Sequence, residues 1–202
     1  MNKPAKTLAV LIVEDMESDA QFIVRLLKKA GYELDYEQVE TVGQMRSALE
    51  KKAWDIVISD YKLPQFDGRA ALQLLQEMGR DIPFIVVSGT IGEESSVAMM
   101  KAGAHDYLIK DDLARLVPAV ERELEQSRIQ RGRRQAEEAL RESETRYRSL
   151  FDRMLDGVYL STHAGKFVDV NPAMVKMFGY SSKEEMLEID IKNELYFAPE
   201  ER

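Results

Sequence analysis

The sequence predicts a doubly wound α/β fold with a five-stranded parallel sheet in residues 1–125. Two observations lead to this prediction. Short β-branched apolar runs without strict polar alternation recur along this part of the chain, as expected of strands buried on both faces of a parallel sheet. Amphipathic helical stripes separate the runs, and a strand–helix unit repeated five times favours right-handed crossovers onto a single sheet.

Three strands have a strong signal, at Leu8–Val13, Asp55–Ser59 and Ile82–Val87, where apolar and β-branched residues follow one another. Two further strands are predicted from weaker patterns at Leu34–Glu40 and Asp106–Ile109. In a sheet of this class the carboxyl ends of the strands lie at one edge, and ligands bind there.

Four helices are predicted from apolar residues that share one helical face. These stripes are Phe22, Ile23, Leu26 and Leu27; Met45, Ala48 and Leu49; Ala71, Leu74, Leu75 and Met78; and Val97, Ala98 and Met100. Gly31 and Gly103 follow the first and fourth stripes and suit helix C-terminal caps. Thr41 and Gln44 have the spacing of a capping box before the second.

The composition restricts the function classes. With 45% hydrophobic and 32% charged residues, the 202-residue chain has enough apolar residues for a core. A formal net charge of −8 argues against nucleic acid as a partner, and the absence of cysteine excludes disulfides, thiolate zinc sites and a cysteine nucleophile. The apolar run Leu8–Val13 is too short for a signal-peptide core or a membrane span, so we expect a soluble, cytoplasmic protein.

Charged and polar residues stand at the predicted strand ends. Glu14 and Asp15 follow the first strand, Asp60 the third, Ser88–Thr90 the fourth and Lys110 the fifth. Clustered carboxylates repel one another unless a cation neutralises them, and Mg²⁺ prefers oxygen ligands. A lysine can neutralise phosphoryl oxygens and a serine hydroxyl can donate to them. The set suits attack by a carboxylate on phosphorus, which gives an acyl phosphate.

The motifs that carry these residues resemble those of the response-regulator receiver domains. They are Val13-Glu14-Asp15, Ile58-Ser59-Asp60, Leu63–Gly68, Val86–Thr90 and Ala102–Lys110, in the order and spacing of that family. The resemblance implies a flavodoxin-like fold and a phosphoprotein of two-component signal transduction, which takes its phosphoryl group from a histidine kinase or phosphotransfer protein.

The resemblance also implies residue roles at the metal site. Asp60 would be the phosphoacceptor, and Mg²⁺ or Mn²⁺ would be held by Asp15 and Asp60, by Glu14 through water, and by the main-chain oxygen of Lys62. No other cofactor is implied.

Three further residues would act on the phosphoryl group or respond to it. The resemblance implies Lys110 as the phosphate contact, with Ser88 and Tyr107 as the switch pair. One departure is that Asp111-Asp112 follows Lys110, whereas the family usually has proline there.

Simpler explanations exist for each residue alone. Glu14 and Asp15 could cap a helix, Asp60 could lie in a turn, and Lys110 could be a solvated charge. Their conjunction at the ends of four of the five predicted strands favours the phosphoacceptor. Two rival functions stay open. One is a phosphohydrolase with Asp60 as nucleophile, although Lys62 stands where such an enzyme needs an acid/base carboxylate. The other is a docking module that is never phosphorylated.

Residues 126–147 are predicted to form a helical connector. The preceding fifth helix should begin near Val117, after a turn at Asp112–Leu116, because Pro118 suits a first helical turn. A heptad seam indicates a homodimer through the fifth helix and a coiled-coil connector. Its positions are Ala136, Leu140, Ser143, Tyr147, Leu150 and Met154. An earlier apolar stripe contains Val120 and Leu124, and its heptad spacing does not continue into this seam. Gly132 lies in the gap between the two, so we hypothesise a hinge there; a single solvated helix is the alternative.

Residues 148–202 resemble the first half of a PAS sensory domain. The matching segments are Arg148–Phe151, Asp156–Leu160, Gly165–Ala173 and Met177–Ser181, with a hairpin turn around His163–Gly165. Half a domain buries little core, so we expect it to be loosely held, completed by another chain, or part of a longer protein. Such a protein could be a hybrid histidine kinase or a cyclic-dinucleotide synthase, whose catalytic domain lies outside these residues.

Overall fold

The computed structural model describes residues 6–89 and 93–191. The chain falls into two compact units, residues 1–132 and 133–202. Thr90, at the end of the predicted Ser88–Thr90 motif, and residues 192–202 of the predicted PAS segment lie outside the described residues.

The first unit is built on a five-stranded parallel sheet with strand order β2-β1-β3-β4-β5. The strands are β1 (Lys6–Val13), β2 (Tyr32–Val39), β3 (Ile56–Asp60), β4 (Phe84–Ser88) and β5 (Asp106–Ile109). The predicted doubly wound fold is confirmed. β3 ends one residue later than the sequence pattern indicated, so Asp60 is the last residue of the strand itself.

Helices cover both faces of this sheet. They are α1 (Glu17–Lys29), α2 (Val42–Lys51), α3 (Gly68–Glu77), α4 (Glu93–Ala102), a 3₁₀ helix at Lys110–Arg115 and α5 (Leu116–Arg153). Side chains alternate between the two faces of β1: Leu11 and Val13 belong to one core cluster, and Val10 and Ile12 to the other. Burial on both faces explains why the strands have continuous apolar runs.

The segment before α5 corrects the sequence prediction, whereas α5 itself begins within one residue of the expected position. Residues Asp112–Leu116 are not a plain turn, because a 3₁₀ helix spans Lys110–Arg115 and α5 begins at Leu116, whose side chain is fully buried. Pro118 is tolerated at the third helical position because the first N–H groups of a helix have no partner within it. The helix continues through Gly132, so the hinge hypothesis stays a prediction.

The second unit contains the end of α5 and the predicted hairpin. Strands β6 (Tyr159–Ser161) and β7 (Phe167–Val170) pair antiparallel, and two short helices follow, α6 (Pro172–Phe178) and α7 (Lys183–Leu187). Gly165 lies in the turn with a φ of 90°, which favours glycine. A small core lies between these elements, formed by Phe167, Val170, Met174, Met186, Ile189 and Ile191.

Across residues 6–89 and 93–191, the structure has no helix that combines the length and the apolar character needed to cross a membrane.

Candidate functional site

The parallel register of β1 and β3 brings three acidic residues together. Val13 pairs with Ser59, so Glu14 and Asp15 leave β1 at the level where β3 ends in Asp60. One oxygen from each of the three carboxylates lies within 4.8 Å of the others. The residues that the sequence indicated as acidic metal ligands therefore form one cluster.

Lys110 reaches this cluster from the end of β5. Its Nζ atom lies 2.7 Å from Asp60 Oδ2 and 2.8 Å from Glu14 Oε2. It also lies 2.6 Å from Asp19 Oδ2 in the first turn of α1. An ammonium group has three N–H donors, and here each has a carboxylate acceptor.

Sequence reasoning missed Asp19. An acidic residue in the first turn of a helix is favoured by the helix dipole, so its presence there needed no further explanation. Only the position of α1 against the sheet edge reveals its contact with Lys110.

Burial controls the charge of the acidic cluster. The Glu14 side chain is 2% exposed, and this burial raises the pKa of its carboxyl, although the hydrogen bond from Lys110 acts in the opposite direction. The other Glu14 oxygen, Oε1, accepts from the main-chain N–H of Met16 at 3.2 Å. A buried carboxylate is costly in free energy unless a nearby positive charge neutralises it. The burial of Glu14 therefore favours the binding of a cation at this site.

Lys110 is protonated at neutral pH. Partial burial lowers the pKa of its ammonium, but hydrogen bonds to Asp19, Asp60 and Glu14 together raise that pKa above its ordinary value. The site then has one ammonium facing four carboxylates, counting Asp15. This excess of negative charge, carried by oxygen ligands, fits a hard divalent cation.

The loop after β3 is held in place by short contacts. The main-chain N–H of Lys62 donates to Asp60 Oδ1 at 3.2 Å, and Lys62 and Asp67 form an isolated antiparallel bridge. Asp67 caps α3 by accepting from Ala70 N at 2.8 Å. Gly68 N donates to the Tyr61 carbonyl at 3.0 Å. These bonds fix the main chain of Lys62 beside the phosphoacceptor candidate.

Ser88 and Tyr107 lie on adjacent strands near the same edge. Ser88 is the last residue of β4 and is 1% exposed, and Tyr107 pairs with Val86 in the β4–β5 register. The Tyr107 hydroxyl is buried and has no hydrogen-bond partner among the described residues. Its ring contacts that of Tyr61 edge-on, with centroids 6.1 Å apart. A buried hydroxyl without a partner is unfavourable, so this orientation is poorly stabilised by polar contacts.

A pocket opens beside Lys110, on the α1 side of the sheet. Its volume is about 110 Å³, and it is lined by Asp19, Phe22, Ile23, Val87, Lys110 and Leu113. Four of these six residues are apolar, so Asp19 and Lys110 provide the charged part of the wall.

Two protein-family models match the chain. The model of the response regulator receiver domain matches residues 10–121, which is more than half of the chain. A PAS domain model matches residues 145–201. Both matches agree with the resemblances found in the sequence.

Curated relatives match the first of these regions. The transcriptional regulatory protein ZraR of Salmonella typhimurium is 32% identical over 122 residues, which are 59% of this chain and 27% of the relative. The transcriptional regulatory protein PrrA of Mycobacterium tuberculosis is 34% identical over 112 residues, 55% of this chain and 47% of the relative. The chain thus spans between about a quarter and a half of the length of these relatives.

Solved structures give the same result. A LuxR-family two-component response regulator from Aurantimonas is 27% identical, with a TM-score of 0.52 over 59% of this chain and 86% of that one. The signal receiver domain of a histidine kinase from Syntrophus aciditrophicus is 28% identical, with a TM-score of 0.50 over 58% and 90%. With its acidic cluster, its Lys110 contacts and these matches, the chain belongs to the response regulator receiver family.

Proposed function

We propose that the first unit takes a phosphoryl group on Asp60 from the phosphohistidine of a histidine kinase or phosphotransfer protein. The observation that carries this proposal is the position of the Lys110 ammonium, 2.7 Å from Asp60 Oδ2 at the edge of the acidic cluster. A protonated lysine at this point can neutralise a phosphoryl group that arrives on the carboxylate.

In the proposed reaction, a carboxylate oxygen of Asp60 attacks phosphorus. The P–N bond to the histidine of the donor breaks, its electron pair returns to the imidazole, and an acyl phosphate forms. The Lys110 ammonium stabilises the negative charge on the phosphoryl oxygens, and the hydroxyl of Ser88 donates a hydrogen bond to one of them.

A divalent cation fits this chemistry. Asp15 and Asp60 would hold Mg²⁺ or Mn²⁺ directly, Glu14 through water and Lys62 through its main-chain oxygen. When bound, the cation supplies charge neutralisation for the transferring group. The support for this assignment is the excess of carboxylate oxygens around one ammonium and the burial of Glu14.

Ser88 and Tyr107 form the proposed switch. A phosphoryl group on Asp60 draws the Ser88 hydroxyl toward it, and Tyr107 turns into the space that is left. The buried, unpartnered hydroxyl of Tyr107 supports this step, because a hydroxyl without a hydrogen bond loses little by moving. The faces of α4, β5 and α5 would carry the change to a partner.

The output passes through α5, which we propose forms a homodimer. Every residue from 128 to 150 is solvent-exposed in the single chain, although helices in proteins gain most of their stability from packing one face against a neighbour. The apolar side chains of Leu140 and Leu150 are 61% and 62% exposed on the heptad seam. Ile129, 62% exposed, lies seven residues before Ala136 and continues the heptad spacing of the seam toward the N-terminus of α5. A second copy of the helix would cover them.

Acetyl phosphate with Mg²⁺ tests the phosphoacceptor directly. The purified chain should gain the mass of one phosphoryl group, and hydroxylamine should remove it, as expected of an acyl phosphate. Asp60→Asn should gain none. Equal labelling of this variant, or no labelling of the wild type, would contradict the proposal. Sustained turnover of a phosphomonoester would favour the phosphohydrolase instead.

A further inference from the structure

The ammonium group of Lys110 has no spare donor in the unmodified protein. Its three N–H groups face Glu14 Oε2, Asp19 Oδ2 and Asp60 Oδ2, at 2.8, 2.6 and 2.7 Å. A phosphoryl group on Asp60 needs a donor from the same nitrogen. The donor that faces Asp60 can pass to the phosphoryl group, because the acylated carboxyl no longer carries a charge. The phosphoryl group brings further negatively charged oxygens, and a second donor for them has to come from the contact with Glu14 or Asp19.

Glu14 and Asp19 differ in how easily they can lose Lys110. The side chain of Glu14 is 2% exposed, so bulk water could not replace a lost ammonium contact there. The Asp19 side chain is 35% exposed, and its other oxygen, Oδ1, already accepts from the exposed hydroxyl of Ser18 at 3.3 Å. Water can solvate Asp19 at a small free-energy cost.

We propose that Asp19 is a positioning residue, which holds Lys110 in the unmodified protein and releases it when a phosphoryl group forms on Asp60. This inference rests on the proposed phosphoacceptor function. Asp19 then competes with the phosphoryl group for Lys110. Loss of the Asp19–Lys110 contact also changes the surroundings of the first turn of α1. Phe22 lies one turn after Asp19 and lines the same pocket as Asp19 and Lys110.

The competition can be measured with beryllofluoride, which mimics the phosphoryl group without covalent turnover. Asp19→Asn keeps the shape of the side chain and removes its charge. We expect beryllofluoride with Mg²⁺ to bind this variant about two- to fivefold more tightly than the wild type, because a partly exposed ion pair no longer has to be broken. Isothermal titration calorimetry gives both affinities.

Glu17→Gln is the matched control. Glu17 is an exposed acid in the same helical turn, so its replacement changes the net charge equally. The control should bind beryllofluoride as the wild type does. Equal tightening in both variants would assign the effect to general charge repulsion and overturn the proposal, as would unchanged or weaker binding by Asp19→Asn.

Carboxyl ¹³C resonances give a second readout that a purely structural role would not move. In the wild type, the Asp19 carboxyl signal should shift when beryllofluoride is added, while that of Glu17 stays in place. An unmoved Asp19 signal in a protein that does bind beryllofluoride contradicts the release of Lys110. A wild type that binds no beryllofluoride instead contradicts the phosphoacceptor function, so the two failures are distinguishable.

Discussion

A Cβ atom on Gly68 would lie 2.9 Å from the main-chain carbonyl oxygen of Asp60. Real Cβ atoms essentially never approach a backbone oxygen so closely, and neither the first residue of α3 nor the end of β3 can move freely. The start of α3 therefore packs directly against the main chain of the phosphoacceptor candidate. Glycine at position 68 is required by this close approach and not by a positive φ.

Gly68→Ala should disturb the site and the fold together. We expect a loss of about 1–3 kcal/mol in the free energy of unfolding, the usual range for overpacking. Mg²⁺ affinity should fall as well, because the Asp60–Lys62 segment must shift. Gly43→Ala is the control, since a Cβ there meets nothing within 4 Å in α2, and it should be neutral or slightly stabilising. Urea unfolding and calorimetric Mg²⁺ titration would show both effects, and equal behaviour of the two variants would contradict the packing argument.

The sheet and most of the site could be predicted from the sequence because both are encoded locally. β1, β3 and β4 are continuous apolar runs, and residues at or after their ends form the candidate site. β2 gave a weak signal because it is an edge strand with several polar, partly exposed positions. Asp19 could not be predicted, because it stands in the first turn of α1 and not at a strand end, and only the packing of α1 against the sheet edge brings it to Lys110.

Ile129 was missed for a different reason. Heptad spacing projected forward from Val120 and Leu124 reaches only polar residues, which suggested a gap before Ala136. The uninterrupted helix shows that Ile129 is in register with the later seam instead. Where the apolar positions of a helix shift from one face to another, heptad spacing projected from the first face does not find those of the second.

Glu14→Gln should stabilise the metal-free protein at neutral pH. Burial raises the pKa of Glu14 above its ordinary value of 4.5, so the folded state binds the proton more tightly than the unfolded state does. The contribution of Glu14 to stability is therefore largest below that value, and falls as the pH rises through the raised pKa. Glu14→Gln has no charge to lose stability in this way. The difference between its urea midpoint and the lower midpoint of the wild type should therefore grow as the pH rises over the same range.

The same substitution should weaken Mg²⁺ binding, although it stabilises the metal-free protein. Without the Glu14 carboxylate, we expect Mg²⁺ affinity to fall by about tenfold or more, as is common for groups that act on a metal through water. Glu33→Gln, which removes an exposed carboxylate from β2, should change neither property. If Glu14→Gln were less stable than the wild type at pH 7 without metal, burial of the Glu14 carboxylate would not carry the free-energy cost assigned to it.

Tyr107→Phe should leave the protein as stable as the wild type, or raise its free energy of unfolding by about 1 kcal/mol, because it removes a buried hydroxyl without a partner. The ring contact with Tyr61 is retained. Tyr36→Phe is the matched comparison: the Tyr36 hydroxyl accepts from Gln21 Nε2 at 3.3 Å, so its loss should cost about 0.5–1 kcal/mol. Urea unfolding distinguishes the two, and a clear loss of stability in Tyr107→Phe would show that its hydroxyl has a partner in solution.

Asn171 is the polar centre of the second unit. The side chain is fully buried, accepts from Val158 N and Met174 N at 2.9 Å each, and donates to the carbonyls of Phe151 at 3.2 Å and Asp156 at 2.9 Å. It thereby joins the end of α5, the approach to β6 and the start of α6. All of its hydrogen-bonding capacity is used.

Asn171→Ala should unfold the second unit while the first stays folded. We expect a loss of about 3 kcal/mol or more, because several buried backbone groups lose their partner at once. Ser182→Ala, which removes only the N-cap of α7, should cost about 1 kcal/mol. Hydrogen exchange followed by NMR reports each unit separately. Intact protection of β6 and β7 in Asn171→Ala would show that these hydrogen bonds do not hold the unit together.

Leu140→Lys tests whether the α5 seam is a dimer interface. Leu140 is 61% exposed in the single chain and stands at a core position of the heptad pattern, where a lysine ammonium would be forced into the interface. Salt bridges along the helix cannot compensate, since the Arg146–Glu142 pair, at 3.2 Å, is about 70% exposed at both side chains and such pairs contribute little. The dimer dissociation constant should rise by at least about tenfold.

Thr145→Lys introduces the same charge on the opposite face of the helix, where the Thr145 hydroxyl donates only to the Arg141 carbonyl. Sedimentation equilibrium should give a wild-type dissociation constant for this control and a weakened dimer for Leu140→Lys. Were both variants weakened alike, net charge along α5 would govern association. Were the wild type monomeric at every concentration, the exposed seam would have to be covered by a different partner. The seam is the dimer interface only if Leu140→Lys alone dissociates, because burial in a coiled coil depends on the face and not on the charge.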